Sequence, residues 1–505
     1  ISMRNLGYIV LSTLLTAGLL SACSDNEQAP QAAIQEADST AEASANVTID
    51  FVVETQAGAV RGELTSEGGV SAKIFRGIPY AEPPLGDLRW QPPQSALSWS
   101  GVRNATEWPD RCPQRSSSMG TGIPISEDCL YLNLVTAAQT ANDELPVMVF
   151  FHGGGLTIGT GNSDIYNHPM LPSKGIILVT INSRLGPMGY LAHPALSSES
   201  AHGVSGNYGT LDLKASLEWV QENIRAFGGD PNNVTIFGES GGGTKTISQM
   251  SSPLTEGLFH KAIVESGSGL VAPNRATFLE DAEAIGQKLA GQLGIENSGN
   301  VLAAMRAVSW EDIIAAAASD EVGFSASVVV DGYVIPDTIN ALFNQGRQRD
   351  IPLIVGANTG ERSLQTSVPL MANIHSRTAS SDTFVYNFSH LPKTWREEPC
   401  IAFHGLELPY VFGSVPVGIP SPTILFLSRG GGCESRDIAV DEIDLSVADN
   451  TSTLWAQFAK TGNPSVEGMA EWPTYTEQNN QYLDIGAILE VKAGIESAYV
   501  TPPGN

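Results

Sequence analysis

One short stretch, VTIFGESGGGTK at residues 234–245, constrains the fold of this chain more than any other. Val234–Phe237 is β-branched and apolar, which predicts a strand that runs directly into Ser240 and its glycines. Gly238 and Gly242 complete a Gly-x-Ser-x-Gly pattern and leave room for a sharp turn that presents the serine hydroxyl. Since an ordinary glycine-rich loop can carry the same short pattern, the rest of the chain must decide between the two.

Strand and helix patterns alternate along much of the chain. Apolar residues recur at helical spacing from Leu211 to Phe227, and residues 47–75 alternate apolar and polar side chains as antiparallel hairpins do. Buried strands are expected at 147–151, 176–181, 234–237 and 262–264. The sequence therefore predicts an α/β fold with a large, mostly parallel central sheet, helices on both faces and an N-terminal antiparallel hairpin. Ligands of such sheets bind at the carboxyl ends of the strands, where Ser240 falls.

The N-terminal region carries export signals. Basic Met3-Arg4-Asn5 precedes an apolar run from Leu6 to Leu20, too short to span a membrane, which predicts a signal peptide over residues 1–22. The run ends in Leu20-Ser21-Ala22-Cys23, which resembles the bacterial lipobox and predicts lipidation of Cys23. Residues 23–46 have almost no large apolar side chains after the cysteine and are expected to form a disordered tether. The alternative is an ordinary secretory cleavage site beside a chance cysteine.

These signals predict an exported protein of the bacterial cell envelope, on the periplasmic or outer surface, whose only membrane contact is a lipid anchor. Residues 47–505 are expected to form one domain. A formal charge of −27 argues against a nucleic-acid partner. No cysteine and histidine cluster has the spacing of a metal site, and neither a metal nor an organic cofactor is predicted. The oligomeric state stays open.

A second motif supplies what a serine nucleophile needs. Serine hydroxyls require a base, and the oxyanion formed by their attack requires fixed amide donors. Phe151-His152-Gly153-Gly154-Gly155 follows a predicted strand and matches the HGGG donor loop of hydrolases. The amides of Gly154, Gly155 and Gly241 are predicted to form the oxyanion hole. Taken alone, HGGG is also compatible with a flexible loop.

Longer segments resemble the type-B carboxylesterases of the α/β-hydrolase fold, the family that includes the cholinesterases. The resemblance runs from residue 47 to residue 485. Besides HGGG, its segments are FRGIPYAEPPLGDLRWQPP (75–93), SEDCLYLNL (126–134), GNYGTLDLKASLEWVQENIRAFGGDPNNVTIFGESGGG (206–243), GLFHKAIVESGS (257–268), FHGLELPYVFG (403–413) and WAQFAKTGNP (455–464). It implies hydrolysis of a small-molecule carboxylic ester without a cofactor.

The resemblance also implies the catalytic residues. Ser240 matches the nucleophile, His404 in FHGLELPYVFG matches the base, and Glu361 in PLIVGANTGERS matches the acid. Without the resemblance, the acid stays open among Asp331, Asp350 and Asp382 as well. Ser266 in ESGS matches a position that can hydrogen-bond the triad. An unperturbed histidine as base would make activity rise with pH near about 6.5.

Two disulfides are expected in the exported chain. Besides Cys23 there are four cysteines, an even number, and their spacing suggests the pairs Cys112–Cys129 and Cys400–Cys433. Cys129 also matches a half-cystine of the family, which supports the first pair. Free buried thiols are the alternative, more so for the second pair.

The substrate pocket departs from the family pattern. Leu156 replaces a frequent aromatic residue, Gly241 a frequent alanine, and the interval from Glu361 to His404 is shorter than the resemblance leads us to expect. Leu156 and Glu239 are predicted to line the pocket. Less helical cover over the mouth predicts a shallow pocket that prefers short acyl chains. The alternatives are a lipase for longer-chain lipids, although no long apolar lid segment is present, and a catalytically silent cholinesterase-like adhesion protein.

Overall fold

A long mixed sheet organises the fold. It is described by a computed structural model of residues 51–117, 119–267, 276–415, 417–419 and 421–501. The strands are β1 (Val52–Glu54), β2 (Ala59–Arg61), β3 (Glu63–Glu67), β4 (Val70–Pro79), β5 (Val102–Asn104), β6 (Tyr131–Thr136), β7 (Leu145–Phe151), β8 (Ile177–Ile181), β9 (Gly229–Glu239), β10 (Lys261–Glu265), β11 (Thr277–Phe278), β12 (Val329–Val330), β13 (Leu353–Asn358), β14 (Thr383–Phe388), β15 (Gln481–Ile485) and β16 (Leu489–Ala493).

The main sheet has 11 strands in the order β16-β15-β14-β13-β10-β9-β7-β8-β6-β4-β3. From β8 through β7, β9, β10, β13 and β14 to β15 every pairing is parallel. Both edges are antiparallel, because β15 pairs with β16 at one side and β8, β6, β4 and β3 pair in sequence at the other. The mostly parallel sheet and the N-terminal antiparallel hairpin are therefore confirmed.

Helices cover the sheet on both faces. They are α1 (Met170–Ser173), α2 (Gly186–Tyr190), α3 (Pro194–Glu199), α4 (Tyr208–Asn223), α5 (Gly241–Ser251), α6 (Leu279–Gln292), α7 (Val301–Ala307), α8 (Trp310–Ala317), α9 (Ile339–Asn344), α10 (Ser367–Thr378), α11 (Lys393–Arg396), α12 (Leu408–Val411), α13 (Pro422–Leu427) and α14 (Glu442–Thr461). Buried residues of α4, α5 and α10 belong to one core cluster, and those of α1, α12 and α14 to another.

The two cores lie on opposite faces of the sheet because strand side chains alternate. In β7, Val147, Val149 and Phe151 pack into the cluster that holds α4 and α5, whereas Met148 and Phe150 pack into the cluster that holds α14. All five are fully buried. A strand buried on both faces reads as a continuous apolar run, which is why β7 was recognisable from its sequence.

Both disulfides are present, Cys112–Cys129 and Cys400–Cys433, as predicted. Residues Ile49–Asn505 form one compact unit. The signal peptide (1–22), Cys23 and the tether (23–46) lie outside the described residues, and these assignments stay predictions. Within the described ranges, no helix has the length and apolar character needed to cross a membrane.

Candidate active site

The expected turn joins β9 to α5. Ser240 lies between them with φ 59° and ψ −118°, a backbone conformation that residues other than glycine rarely adopt. Its amide donates to the carbonyl of Glu265 at the end of β10 (2.8 Å). A Cβ on Gly242 would lie 1.9 Å from the oxygen of Phe151, so only glycine permits this approach of α5 to β7. The serine is therefore held at the carboxyl end of the sheet.

The HGGG loop touches this turn through backbone atoms. It begins as β7 ends at Phe151. A Cβ on Gly241 would lie 2.1 Å from the oxygen of Gly155, so the loop and the first residue of α5 are in direct contact. Within the described residues, the amides of Gly154, Gly155 and Gly241 donate to no other group. The structure thus brings the HGGG loop against the start of α5, next to Ser240.

His404 and Glu361 meet at the same end of the sheet. Glu361 follows β13, and His404 lies in the loop before α12. Nδ1 of His404 donates to Oε1 of Glu361 (2.5 Å). The other oxygen of Glu361 accepts from the amide of Asn358 (2.8 Å) and from the hydroxyl of Ser266 (2.6 Å). These contacts fix the carboxylate and, through it, the orientation of the imidazole.

The competing carboxylates lie elsewhere. Asp350 lies three residues before β13 and Asp382 directly before β14, at the amino ends of these strands and thus opposite Ser240. Asp331 closes its own turn by accepting from the amides of Tyr333 (2.9 Å) and Ile335 (3.0 Å). None of the three is placed to orient His404.

A second carboxylate lies beside the other nitrogen of His404. Oε1 of Glu239, the residue before Ser240, is 3.1 Å from Nε2 of His404. The two atoms do not form a hydrogen bond, and this oxygen has no hydrogen-bond partner among the described residues. The charge of Glu239 raises the pKa of His404. Burial raises the pKa of Glu239 in turn.

The side chains of Ser240 and His404 do not form a hydrogen bond with each other in this structure. Both line one cavity, but no hydrogen bond joins Oγ of Ser240 to His404 in the described part of the chain. Nε2 faces Glu239 instead. Catalytic hydrogen bonds are often long or misaligned without substrate and tighten when it binds. The missing hydrogen bond therefore does not exclude a pairing of the two side chains when substrate is bound.

Two further buried carboxylates lie near the site, and the sequence analysis missed them. Trp455 Nε1 donates to Oε1 of Glu265 (2.6 Å), and burial raises the pKa of Glu265 to about 8. Glu407 accepts from the side chain of Asn358, and burial raises its pKa well above the ordinary range. Only their positions in the sequence could have indicated them, because Glu407 follows His404 closely and Glu265 ends a buried strand.

The cavity in front of Ser240 has a volume of about 600 Å³. That is within the range of about 300–1,000 Å³ typical of small-molecule sites. Its apolar walls come from Trp108, Ile123, Ile158, Ile165, Tyr166, Leu408, Ile424, Phe426 and Leu427. Glu239 and Asp164 supply carboxylates. The site is thus suited to an uncharged or cationic small molecule more than to an anion.

One expected pocket residue is not on this wall, and its assignment is corrected. Leu156 is 5% exposed and does not line the cavity, whereas Ile158 does. The carbonyl of Leu156 accepts from the amide of Gly186 (2.7 Å), so the chain turns away toward α2 after the HGGG loop. Glu239, the other expected pocket residue, lines the cavity.

Across the described ranges, no group of three or more histidine, cysteine, aspartate or glutamate residues is arranged to hold a metal ion. The chemistry available from this chain is that of a serine, a histidine, buried carboxylates and backbone amides. That set can carry acyl transfer.

Comparison with known proteins identifies the family. The sequence model of the carboxylesterase family matches residues 49–369 and 360–500. The chain belongs to the carboxylesterase family. This carboxylesterase is 34% identical to fumonisin B1 esterase of Sphingopyxis macrogoltabida, with 86% of each chain covered. It is 33% identical to para-nitrobenzyl esterase of Bacillus subtilis (strain 168), over 88% of this chain and 97% of that one.

A solved structure of PNB esterase matches with a TM-score of 0.74 and 30% identity, covering 87% of this chain and 96% of that chain. The α/β-hydrolase fold expected from the sequence is thereby confirmed. With esterases among its relatives over most of its length, the carboxylesterase is a carboxylic ester hydrolase.

Proposed function

We propose that this carboxylesterase hydrolyses small carboxylic esters with short acyl groups through a covalent acyl-enzyme. Ser240 is the nucleophile, His404 the general base and acid, and Glu361 the carboxylate that orients the histidine. The observation that carries the proposal is the bond from Nδ1 of His404 to Oε1 of Glu361 (2.5 Å) at the cavity onto which the turn presents Ser240.

The reaction follows from these roles. Oγ of Ser240 turns toward Nε2 of His404, which takes its proton as Oγ attacks the ester carbonyl. The carbonyl electrons move onto oxygen, which the amides of Gly154, Gly155 and Gly241 stabilise, each by about 3–4 kcal/mol of barrier. The oxyanion then collapses, the bond to the alcohol oxygen breaks, and His404 gives that oxygen the proton. Water repeats the sequence and releases the acid.

Glu239 sets the condition under which His404 can act. Its charge beside Nε2 stabilises the imidazolium, which cannot accept a proton. His404 becomes available as a base once the imidazolium loses its proton. Activity is therefore expected to rise with pH above the ordinary histidine value of about 6.5. This corrects the expectation of an unperturbed histidine.

Preference for short acyl chains is supported by the rim of the cavity. The side chain of Phe426 on α13 lines the cavity and is 66% exposed. An acyl chain that extends past this ring enters water instead of protein. Each methylene buried would contribute about 0.8 kcal/mol, and a methylene left in water contributes none.

A series of p-nitrophenyl esters tests the proposal. We expect kcat/KM to peak at acyl chains of about two to six carbons and to be lower at about ten carbons or more, since methylenes beyond the rim gain no burial that could raise it further. A steady increase out to about sixteen carbons, or activation at an oil–water interface, would favour the lipase alternative. A burst of nitrophenol and its loss after organophosphate treatment would separate a serine esterase from a silent adhesion protein.

The location is proposed from the sequence. The carboxylesterase is exported and held in the bacterial cell envelope by lipid on Cys23, with the tether between anchor and domain. Replacing Cys23 with serine should move the protein from the membrane fraction to the soluble fraction while activity persists. Unchanged partitioning would contradict the anchor.

A further inference from the structure

A lysine is buried directly behind the HGGG loop. Lys245 lies on α5, and its side chain is 1% exposed. Nζ donates to the carbonyl oxygen of His152 (3.0 Å) and lies 3.5 Å from Nε2 of the same residue. No carboxylate among the described residues forms an ion pair with it. Lysines are almost never fully buried unless paired, and burial lowers the pKa of Lys245 to about 7. Fold stability alone does not explain this lysine.

The ring of His152 connects Lys245 to the backbone of Gly153. Nδ1 is 2.8 Å from the carbonyl oxygen of Gly153. A carbonyl oxygen can only accept, so Nδ1 carries the hydrogen and Nε2 is left as an acceptor that faces Nζ of Lys245. Lys245 thus favours the His152 tautomer with its hydrogen on Nδ1, and this tautomer donates to the carbonyl oxygen of Gly153.

The held carbonyl shares a peptide group with a proposed oxyanion donor. In a trans peptide the carbonyl oxygen and the following N–H point in opposite directions. With the oxygen of Gly153 bonded to His152, the N–H of Gly154 points the other way, and Gly154 lines the cavity with Ser240. A rotation of this peptide would remove the donor from the site.

We propose that Lys245 is a positioning residue of the oxyanion hole, whose amine acts through the ring and carbonyl of His152 to fix the Gly154 amide toward the oxyanion. The role does not depend on charge, because a neutral amine still has two N–H groups, one for each acceptor of His152. The inference rests on the proposed function, since it requires Ser240 to form a tetrahedral intermediate.

The test replaces Lys245 with methionine, which keeps the length of the side chain and removes its donors. We expect kcat to fall by about ten- to a hundredfold with KM unchanged, because loss of a donor acts on the transition state. Active sites are counted by titration with a fluorophosphonate, so a partly misfolded preparation does not alter kcat. The kcat of Lys245→Gln, whose shorter side chain keeps an NH2 donor group, should lie between the values of the wild type and Lys245→Met.

Lys261→Met is the matched control. Lys261 is also buried, at 8% exposure, and burial lowers its pKa to about 8. It contacts the side chain of Asn233 at the amino end of β10, away from Ser240. Its replacement should leave kcat unchanged. An equal loss of kcat in both variants would mean that burying a lysine matters only for the fold, and the proposal would fail.

A trifluoromethyl ketone separates this inference from the proposed function. Such a ketone adds a serine hydroxyl and places an oxyanion in the hole. Its inhibition constant should rise in Lys245→Met by the factor by which kcat/KM falls. Equal inhibition of variant and wild type would overturn the role of Lys245. If the ketone does not inhibit the wild-type enzyme, the proposed serine mechanism itself is wrong.

Discussion

The floor of the cavity and its rim are built in different ways. The floor, where Gly154 and Ser240 line the cavity, is backed by backbone groups of the HGGG loop and α5 so close together that a Cβ on Gly241 or Gly242 would overlap a carbonyl oxygen. The rim at α13 is made of side chains, and Phe426 there is 66% exposed. A change on the floor must therefore move the backbone and alter the chemistry. A change on the rim alters only the contacts between the ester and the cavity wall.

The largest effect should come from removing the two side chains proposed to react, the serine of the floor and the histidine beside it. Ser240→Ala and His404→Ala should each lower kcat by about 10⁴-fold or more, because no other group of the site replaces nucleophile or base. Turnover of p-nitrophenyl acetate measures the loss, with thermal melting to show that the fold persists. Substantial turnover in either variant would place the chemistry on other residues.

A smaller loss is expected from the residue that orients the base. Glu361→Gln should lower kcat by about tenfold or more, since an amide neither stabilises the imidazolium nor fixes its tautomer. The matched control is Asp382→Asn, which changes a carboxylate at the opposite end of the sheet and should have no effect on kcat. If Glu361→Gln is fully active, Glu361 is not the acid that orients His404.

A shift in pH dependence should follow from Glu239→Gln. The charge of Glu239 raises the pKa of His404, and only the neutral imidazole acts as base. The acid limb of kcat/KM, along which activity rises as His404 loses its proton, should move to lower pH in the variant. The profile is measured from about pH 4 to 10 on one short ester, a window that brackets the ordinary histidine pKa. An unmoved limb would mean that Glu239 does not interact with His404 in the free enzyme.

The smallest effect is expected at the rim. Phe426→Ala should leave kcat/KM for acetyl esters within about twofold and lower it for chains near the peak by about threefold, since only part of one ring is lost. Leu97→Ala is the control, because Leu97 is equally exposed and does not line the cavity. A large fall in kcat on acetyl esters would show that the rim also shapes the chemistry.

The same contrast explains how much could be predicted from the sequence. Strand β9, the turn at Ser240 and the HGGG loop were predictable because glycines and a β-branched run act locally. The pairing of Glu361 with His404 required the resemblance to a family. Residue types alone left Asp331, Asp350 and Asp382 open as well, because a sequence does not show which carboxylates lie at the same end of the sheet as the serine.

Contacts that depend on several distant segments could not be predicted. Glu239 meets Nε2 of His404 only because the turn after β9 and the loop before α12 converge. Lys245 would ordinarily be assigned to the exposed face of a helix, since lysine is rarely buried. Leu156 was expected in the pocket because it follows HGGG, but the chain turns toward α2 at that point.

The backbone of Ser240 has a consequence for how this lineage can change. A residue other than glycine in such a conformation costs about 1–3 kcal/mol. A single mutation to glycine would relieve that cost and abolish the nucleophile in the same step, leaving a more stable but inactive protein. Selection for stability and selection for turnover therefore oppose each other at this position, and the serine persists only while hydrolysis benefits the cell. Where that benefit disappears, this position should be among the first to lose its serine, which would leave a folded protein without hydrolytic activity.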